Sequence, residues 1–502
     1  MGGMEPVRFS GHARRHSGVV EAARAWVAAE WFLGAGLRRG FLLARGYRDA
    51  LERAGEVDFF ARQLGGSMRV LPLPPLPEGE TRGEGAGAEA AWDRVSALAA
   101  LLEPAPEVPL LFVTTPAALL EPVPERAALE RSRLVLRAGG EIPPGELARR
   151  LAEDLGYDNE AVCERPGEFA VRGNLLDVYP VSLDRPVRID FFGDEIESIR
   201  PFDPTTQRSG GTRAEVAVEP VLGAAGDSLG GSLAEYLDGP VGWILEEPDE
   251  LRRGHPGVFE KPERAVAAGP SLAALFGRAD ADRDRALFLS EVETVLPMAA
   301  SAPDTPLDTR DPDTLREGLS VGLVGADRLA REESTRVRFL HKLAGLAAEG
   351  ASVRLVLPGE SEEKRFREWM GEDSLLRDFE PVFVRGNLRR GVWRRTEAGD
   401  GIYVTDRELF GRSRVRLDRV GGRALPGRTG VDGLLDFSEV ADGDYLVHLS
   451  HGICLFRGIR DVEAGGERRE AIVLEFAEEV RISLPLSEAH LLSRYVGLRK
   501  TT

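Results

Sequence analysis

The feature that most restricts the fold of this chain is a dense run of short strand patterns between residues 166 and 209, in the middle of a sequence with helical stretches elsewhere. Turn residues punctuate the run at Arg172-Gly173, Asp184 to Pro186 and Gly193-Asp194. Short strands joined by tight turns predict a small β-rich domain. We therefore expect a compact sheet at this point of the chain.

The sequence on both sides of that run has α/β character. The stretches with helical or strand-like spacing are Val19–Phe32, Gly40–Ala44, Arg69–Leu71, Trp92–Leu102, Pro109–Thr115, Leu147–Leu155, Val241–Leu245, Ala286–Leu289, Ala326–Ala348 and Val353–Leu357. Alternating strands and helices predict a parallel sheet. The β-rich run is therefore expected as an insertion into a larger parallel-sheet region, and the Pro- and Gly-rich residues 72–87 as a surface loop.

The last part of the chain, from Asp442 to Gly497, again has strand patterns. Four strands are expected, with a hairpin at Gly465-Gly466, and Ser487 is the expected N-cap of a short helix through Tyr495. His448 and His451 invite a metal hypothesis, but we expect no metal because no third ligand lies nearby. The arginine-rich stretch that precedes this unit could touch DNA, although a solvated linker is the preferred interpretation.

Composition excludes several classes of protein. A formal charge of −18 opposes nucleic-acid wrapping, so DNA is expected only as a weak or indirect partner. The two cysteines, Cys163 and Cys454, lie far apart without metal-ligand spacing, which indicates a reducing, cytoplasmic setting. No run of 18 apolar residues occurs, so no membrane partner is expected.

The strand from Pro186 to Phe192 has an unusual outer face. Its alternation places Arg188, Asp190 and Phe192 together on the face opposite Ile189. Either Phe192 packs under a loop while Arg188 pairs with Asp190 or Asp194, or the face is a docking surface. Arginine and aromatic residues are the types enriched at binding hot spots.

This segment resembles domain 2 of the bacterial excision-repair subunit UvrB and of the transcription-repair coupling factor, which docks the damage sensor UvrA. The resemblance implies UvrA contacts at Arg172, Arg188, Phe192 and Asp194. Asn174 departs from the family, which often has a second glycine at that place.

The last unit carries a second resemblance. Its motifs GDYLVHLSHGICLFRG and AIVLEFAEEVRISLPLSEAHLLSRYVG resemble the RNA polymerase-interaction module of the coupling factor and of CarD-type regulators. In that family the module attaches to the polymerase β subunit largely by pairing of an edge strand. The resemblance implies polymerase contacts at Val462 and Ser483.

The chain lacks the sequence features of the family's motor. No GKT or GKS ending of a phosphate loop occurs, and the stretch from Ser10 to Gly18 stands where UvrB has that loop. Glu246-Glu247 resembles an acidic strand end that binds magnesium, but a solvated strand terminus is the preferred interpretation. We expect no catalytic residue and no cofactor, and the translocase domains of the coupling factor are expected to be missing from this chain.

These observations predict a multidomain α/β fold: a degenerate P-loop-like parallel-sheet region with a β-rich inserted domain, followed by a small SH3/Tudor-like β-barrel. The expected divisions are a UvrB-like α/β part at 1–160, a UvrA-binding β-rich core at 161–215, the remaining UvrB-like α/β regions at 216–412, a basic linker at 413–431 and a CarD-like domain at 432–502.

The predicted function is that of a non-motor adaptor in transcription-coupled nucleotide excision repair, which binds the RNA polymerase β subunit and recruits UvrA. Two alternatives remain open. One is a CarD-like transcription regulator in which the UvrB-like region is only a scaffold. The other is a truncated or split piece of an ATP-dependent coupling-factor translocase, completed by a separate chain.

Overall fold

The structure is a computed structural model. It describes residues 9, 11–76, 86–104, 106–222, 229–259, 272–276, 281–293, 301–316, 325–371, 373–397, 399–410, 443, 445–448, 452–464, 467–476, 480–485 and 492–494. The chain divides into two compact units at residues 309 and 310. In the described part of the chain, no helix is both long and apolar enough to cross a membrane. Cys163 and Cys454 are both buried free thiols.

The first unit alternates strands and helices on both sides of a strand-rich middle. Its strands are β1 (His12–His16), β2 (Arg39–Leu43), β3 (Arg69–Pro72), β4 (Leu110–Thr114), β5 (Leu134–Arg137), β6 (Asp158–Asn159), β7 (Glu168–Arg172), β8 (Leu175–Val178), β9 (Val187–Phe192), β10 (Glu195–Pro201), β11 (Glu215–Val218), β12 (Val241–Glu246) and β13 (Arg285–Leu289). Its helices are α1 (Arg24–Ala35), α2 (Tyr47–Gln63), α3 (Ala86–Leu101), α4 (Pro116–Leu120), α5 (Arg126–Ser132), α6 (Pro144–Arg149), α7 (Pro248–Gly254), α8 (Pro256–Phe259) and α9 (Leu272–Phe276).

The α/β parts on either side of the insertion build one sheet. Its strand order is β1-β13-β12-β2-β4-β3, and every neighbouring pair is parallel. The predicted insertion into a parallel sheet is therefore confirmed, since β12 and β13 return to pair with strands that precede it. Strands β2, β4 and β12 are buried along their whole length, as expected where helices cover both faces.

The inserted segment forms an antiparallel meander in the strand order β10-β9-β8-β7, with the short β6 added parallel to β7. One face packs into its own core, which includes Phe169, Leu176, Ile189 and Phe191. Helix α3 contributes Trp92 to this core. The same helix contributes its last turns, from Ala97 to Leu101, to the core of the parallel sheet, so α3 serves two cores.

The second unit holds two five-stranded sheets. Its elements are β14 (Asp308–Arg310), α10 (Gly325–Ala348), β15 (Ser352–Leu357), α11 (Glu360–Gly371), β16 (Val382–Arg385), β17 (Val392–Arg395), β18 (Gly401–Val404), α12 (Asp406–Phe410), β19 (Tyr445–His448), β20 (Gly452–Ala464), β21 (Glu467–Glu475), β22 (Arg481–Pro485) and β23 (Leu492–Arg494). The first sheet has the order β14-β17-β18-β15-β16 and the second β22-β21-β20-β19-β23. Val353–Leu357 therefore belongs to a separate sheet and not to the parallel sheet of the first unit.

The C-terminal sheet is antiparallel throughout its described strands. Strand β20 carries a bulge between Phe456 and Ile459, where Gly458 has a φ of 94° that an L-residue with a side chain rarely adopts. The predicted helix through Tyr495 is wrong at Leu492–Arg494, because these residues pair with β19 as a fifth strand. Residues 411–442, with the basic linker, lie outside the described residues, as do Gly465-Gly466 and His451.

Candidate docking surfaces

Two hairpin turns lie side by side at one end of the inserted sheet. Arg172 pairs with Leu175 across the first turn, and Phe192 pairs with Glu195 across the second. Asn174 joins them, because its carbonyl oxygen accepts the Phe191 N–H at 2.9 Å and its side-chain amide donates to the Phe191 carbonyl at 3.3 Å. The turn end of the sheet, defined by Arg172, Phe192 and Asp194, is therefore one continuous surface.

Phe192 is the most exposed large apolar side chain of the described residues, at 78% of its full accessibility. The alternative in which Phe192 packs under a loop is therefore wrong. It ends β9, where the glycine that follows it (Gly193, φ 64°) turns the chain sharply away. An aromatic ring left in water at a sheet end is costly to solvate, and such residues commonly mark interaction sites.

Arg172 and Asp194 flank this ring as exposed charged residues. The Arg172 guanidinium donates from Nη2 to the Ala161 carbonyl at 2.9 Å, which steadies the side chain without neutralising its charge. The second turn is tethered too, because the Asp194 carbonyl accepts the Ile142 N–H at 2.8 Å. The turn end thus presents a cation, an aromatic ring and an anion on anchored backbone.

Arg188, the fourth predicted contact, lies differently from the expected exposed position. Only 16% of its side chain is accessible, and it forms a bidentate pair with buried Asp177, with Nε–Oδ1 at 2.7 Å and Nη2–Oδ2 at 2.8 Å. Its guanidinium also lies 4.7 Å from the centre of the Phe202 ring. The hydrogen bonds to Asp177 raise the pKa of Arg188, so the group remains a cation.

The predicted pairing of Arg188 with Asp190 or Asp194 is therefore wrong. Arg188 lies directly opposite Asp177 on β8 in the strand register, and this places the two charges in contact. Asp190 instead accepts hydrogen bonds from Ser198 at 2.6 Å and from Arg200 on β10. Adjacent strands, and not neighbours along one strand, supply the partners.

Gln207 also contacts Arg188, and sequence reasoning missed it. The Gln207 carbonyl and its side-chain oxygen each accept a hydrogen bond from Arg188 at 3.3 Å. Asp177 was missed as well. The register between β8 and β9 would have revealed Asp177, whereas no local pattern marks Gln207.

The predicted polymerase contacts both lie on strands of the C-terminal sheet. Ser483 is exposed on β22, which is the outermost strand on one side of the sheet. Val462 lies near the end of β20 and pairs with Arg469 of β21, whereas Ser483 pairs with Val473. The two positions are therefore separated by roughly 13 Å along β21 and lie on opposite sides of it.

A charged triad holds the edge strand that carries Ser483. Glu475 of β21 accepts hydrogen bonds from Arg457 at 2.9 Å and from Arg481 at 2.8 Å. These bonds lower the pKa of Glu475 to about 2. The carboxylate therefore bridges β20 and β22 across β21 at neutral pH.

The acidic end of β12 is not a solvated terminus, contrary to expectation. Glu246 is buried and lies 2.8 Å from the Nε of Arg53, which also pairs with Glu56 and donates to the Glu21 carbonyl at 3.3 Å. Glu247 is paired with Arg24 at 2.5 Å. Arginines of α1 and α2 therefore form ion pairs with both carboxylates at the C-terminal end of β12.

A cluster of three carboxylate side chains also occurs among the described residues. Oxygens of Asp311, Asp313 and Glu408 lie within 4.8 Å of one another. The Glu408 oxygens, however, already accept the Gly391 N–H at 2.9 Å and both the N–H and the hydroxyl of Thr405 at 2.8 and 2.7 Å. The buried carboxylate therefore acts as a structural acceptor at the start of α12.

Comparison with known proteins defines the class of both surfaces. Residues 134–222, which include the turn end, match the UvrB interaction domain. Residues 441–496 match the CarD-like/TRCF RID domain. The chain is therefore a multidomain protein that combines a UvrB interaction domain with a CarD-like module.

Several relatives match most of the chain, and they are transcription-repair-coupling factors. The transcription-repair-coupling factor of Myxococcus xanthus is 26% identical over 567 aligned residues, which cover 97% of this chain and 46% of the relative. The transcription-repair-coupling factor of Bacillus subtilis is 22% identical, over 73% of this chain and 36% of the relative. That of Mycobacterium tuberculosis is 26% identical, over 72% of this chain and 35% of the relative. The chain spans about half the length of these relatives or less, and it is similar to them over 72% to 97% of its own length.

Proposed function

We propose that this chain is a non-motor adaptor in transcription-coupled nucleotide excision repair. It binds the β subunit of RNA polymerase through the C-terminal sheet and recruits UvrA through the turn end of the inserted sheet. The observation that carries the proposal is the presence of both interaction domains on one chain, with Phe192 left 78% exposed in the first. Its acidic charge of −18 leaves DNA as a weak or indirect partner.

The finer fold assignments belong to the same proposal. The parallel sheet of the first unit is a degenerate P-loop-like region: β1 passes to the helical segment at Glu21 through only four residues, Ser17 to Val20, where a phosphate loop is longer. The C-terminal sheet is an SH3/Tudor-like barrel, which agrees with its bulged and bent β20. The ion pairs of Glu246 and Glu247 support a chain that does not use this edge for ATP.

UvrA recruitment is tested by measuring UvrA affinity of the purified chain and of the variant Phe192→Ala. We expect a loss of about tenfold or more, as for an aromatic hot spot removed from the centre of an interface. Val135→Ala is the matched control, because Val135 is an exposed apolar residue of the same domain, on β5. Equal affinities for wild type and Phe192→Ala would refute the assignment of the turn end.

Polymerase binding is tested separately with RNA polymerase core enzyme and the variant Val462→Arg. Among the described residues, the only part of β20 that pairs with β19 is Gly452–Leu455, so the later part of β20, with Val462, has a strand partner on one side only. Edge-strand pairing there requires a close backbone approach, so a bulky charge at Val462 is expected to weaken binding strongly. Val382→Arg, at an exposed valine of β16, is the control. Binding that survives Val462→Arg would move the contact to another edge, for which Ser483→Arg on β22 is the next variant.

A CarD-like transcription regulator is the second candidate, because the match at residues 441–496 covers CarD-like proteins as well as coupling factors. Such a regulator would change the lifetime of promoter complexes and would have no affinity for UvrA. A piece of an ATP-dependent translocase would instead require a separate motor chain for activity. The UvrA measurement separates the regulator from the adaptor.

A further inference from the structure

We propose that Asp177 and Gln207 are positioning residues of the UvrA docking surface, which fix the guanidinium of Arg188 before a partner arrives. The inference rests on the proposed recruitment of UvrA. It assigns Arg188 a role different from that of Arg172 and Phe192. Those two are exposed at the turn end, whereas Arg188 lies four residues before Phe192 on β9 and is mostly buried.

The hydrogen-bond inventory of Arg188 supports this assignment. A guanidinium has five N–H donors. Nε–H and one Nη2–H bind Asp177, the other Nη2–H binds the side chain of Gln207, and one Nη1–H binds the Gln207 carbonyl. One face lies over the Phe202 ring, and among the described residues a single N–H of the guanidinium is left without an acceptor. The 16% of the side chain that is accessible is the part that a partner could reach.

The backbone at Gln207 is strained in order to make these contacts. Its φ is 58°, and among the described residues only Glu247 shares a positive φ without being glycine. The Asp203 side chain holds the turn, because its Oδ1 accepts the N–H groups of Thr205 at 2.9 Å and Thr206 at 2.7 Å. Strained residues persist where the surroundings hold them, and they cluster at functional sites.

The arrangement indicates the chemistry of the partner surface. Asp177 compensates the charge of Arg188, so the remaining N–H suits a neutral carbonyl or hydroxyl oxygen better than a carboxylate. Arg172 is the cation that meets an acidic side chain, Asp194 the anion that meets a basic one, and Phe192 requires an apolar pocket between them. The fitting surface of UvrA is therefore an apolar pocket flanked by charges of opposite sign.

The test uses the full chain with the variants Asp177→Ala, Arg188→Ala, their double variant, Arg188→Lys and Gln207→Gly. UvrA affinity, melting temperature and amide exchange of peptides covering residues 202–209 are measured for each. Arg137→Ala is the matched control, because Arg137 forms an exposed ion pair with Glu215 in the same domain. Phe192→Ala reports independently on whether the turn end docks UvrA at all.

We expect Asp177→Ala and Arg188→Ala each to weaken UvrA binding about tenfold, and the double variant to be no weaker than either. Lysine lacks the planar fork, so Arg188→Lys should not restore binding. Gln207→Gly removes the strain of the positive φ, so the melting temperature should be unchanged or raised. The same variant should weaken UvrA binding and speed amide exchange at residues 202–209. A merely structural role would not lower affinity without lowering stability.

Two results would overturn the inference. In the first, Asp177→Ala and Gln207→Gly bind UvrA as tightly as wild type, whereas Arg188→Ala binds more weakly. Arg188 would then act in UvrA binding without being positioned by Asp177 or Gln207. If Phe192→Ala and every other variant bind like wild type, or wild type does not bind UvrA, the proposed docking fails and the positioning role fails with it. The Phe192→Ala result therefore distinguishes the two failures.

Discussion

Replacing Arg53 with methionine should destabilise the parallel sheet of the first unit strongly. Arg53 is 8% exposed in its side chain and lies against Glu246 and Glu56, which are 7% and 13% exposed. Burial opposes the charge of Arg53, but these carboxylates outweigh it and raise its pKa. Removing one member of a buried pair costs about 3 to 5 kcal/mol of unfolding free energy, because the other charge is left without compensation.

The penalty falls on Glu246, whose side chain is 7% exposed and would lose the Arg53 Nε that lies 2.8 Å from its carboxylate. Burial in a medium of low dielectric disfavours the charged form of a carboxyl group that has no cationic partner.

The pH dependence identifies the mechanism. A carboxyl group whose folded pKa is raised stabilises the fold most below its unfolded pKa, and that stability is lost as pH rises through the folded pKa. Arg53→Met should therefore be least stable relative to wild type near pH 8 and should recover as pH falls toward 5. The double variant Arg53→Met with Glu246→Leu should lose less than the single variant at pH 8.

Peptide-resolved amide exchange of β2 and β12 measures this local stability without interference from the second unit. Arg48→Ala is the control, because its ion pair with Glu52 leaves Arg48 largely exposed. A loss below about 1 kcal/mol for Arg53→Met, or a double variant no more stable than the single one, would refute the reasoning.

Two further predictions concern carboxylates of the second unit. Hydrogen bonds from Arg457 and Arg481 lower the pKa of Glu475 to about 2. The contribution of Glu475 to folding stability is therefore present above about pH 4.5 and is lost as the pH falls through 2. Glu475→Gln should flatten the acid dependence of amide exchange in β21, and unchanged dependence would contradict the triad. Burial raises the pKa of Glu408 to about 7, so its sheet should lose stability between about pH 4.5 and 7. Glu408→Gln should remove that slope in melting temperature, and a persisting slope would assign it to another group.

Local patterns predicted several elements of the first unit, because buried strands such as Phe41–Leu43 carry their period within a few residues. Helix α2, at Tyr47–Gln63, was not predicted. The predicted insertion also followed from order along the chain. The position of β13 between β1 and β12 did not follow, because strand order depends on contacts between segments 273 residues apart.

The candidate docking surface likewise has one part that local sequence patterns predict and one part that they do not. The exposed end of β9 at Phe192 could be predicted from the strand and turn around it, but the partner of Arg188 could not. That partner depends on the register between two strands, and a shift of one residue would have put Asp177 on the other face. Leu492–Arg494 was predicted as helix because its pairing with β19 has no local mark.

The split construction of the parallel sheet has a consequence for synthesis. Strand β1 lies at the edge beside β13 and waits for a partner encoded roughly 270 residues later, which takes about 13 to 54 s at ordinary ribosomal rates. The meander β7 to β10 has all its strand partners within a short stretch of chain and needs no such delay. On the ribosome, the surface proposed to recruit UvrA would therefore be complete while its host sheet still lacks two strands.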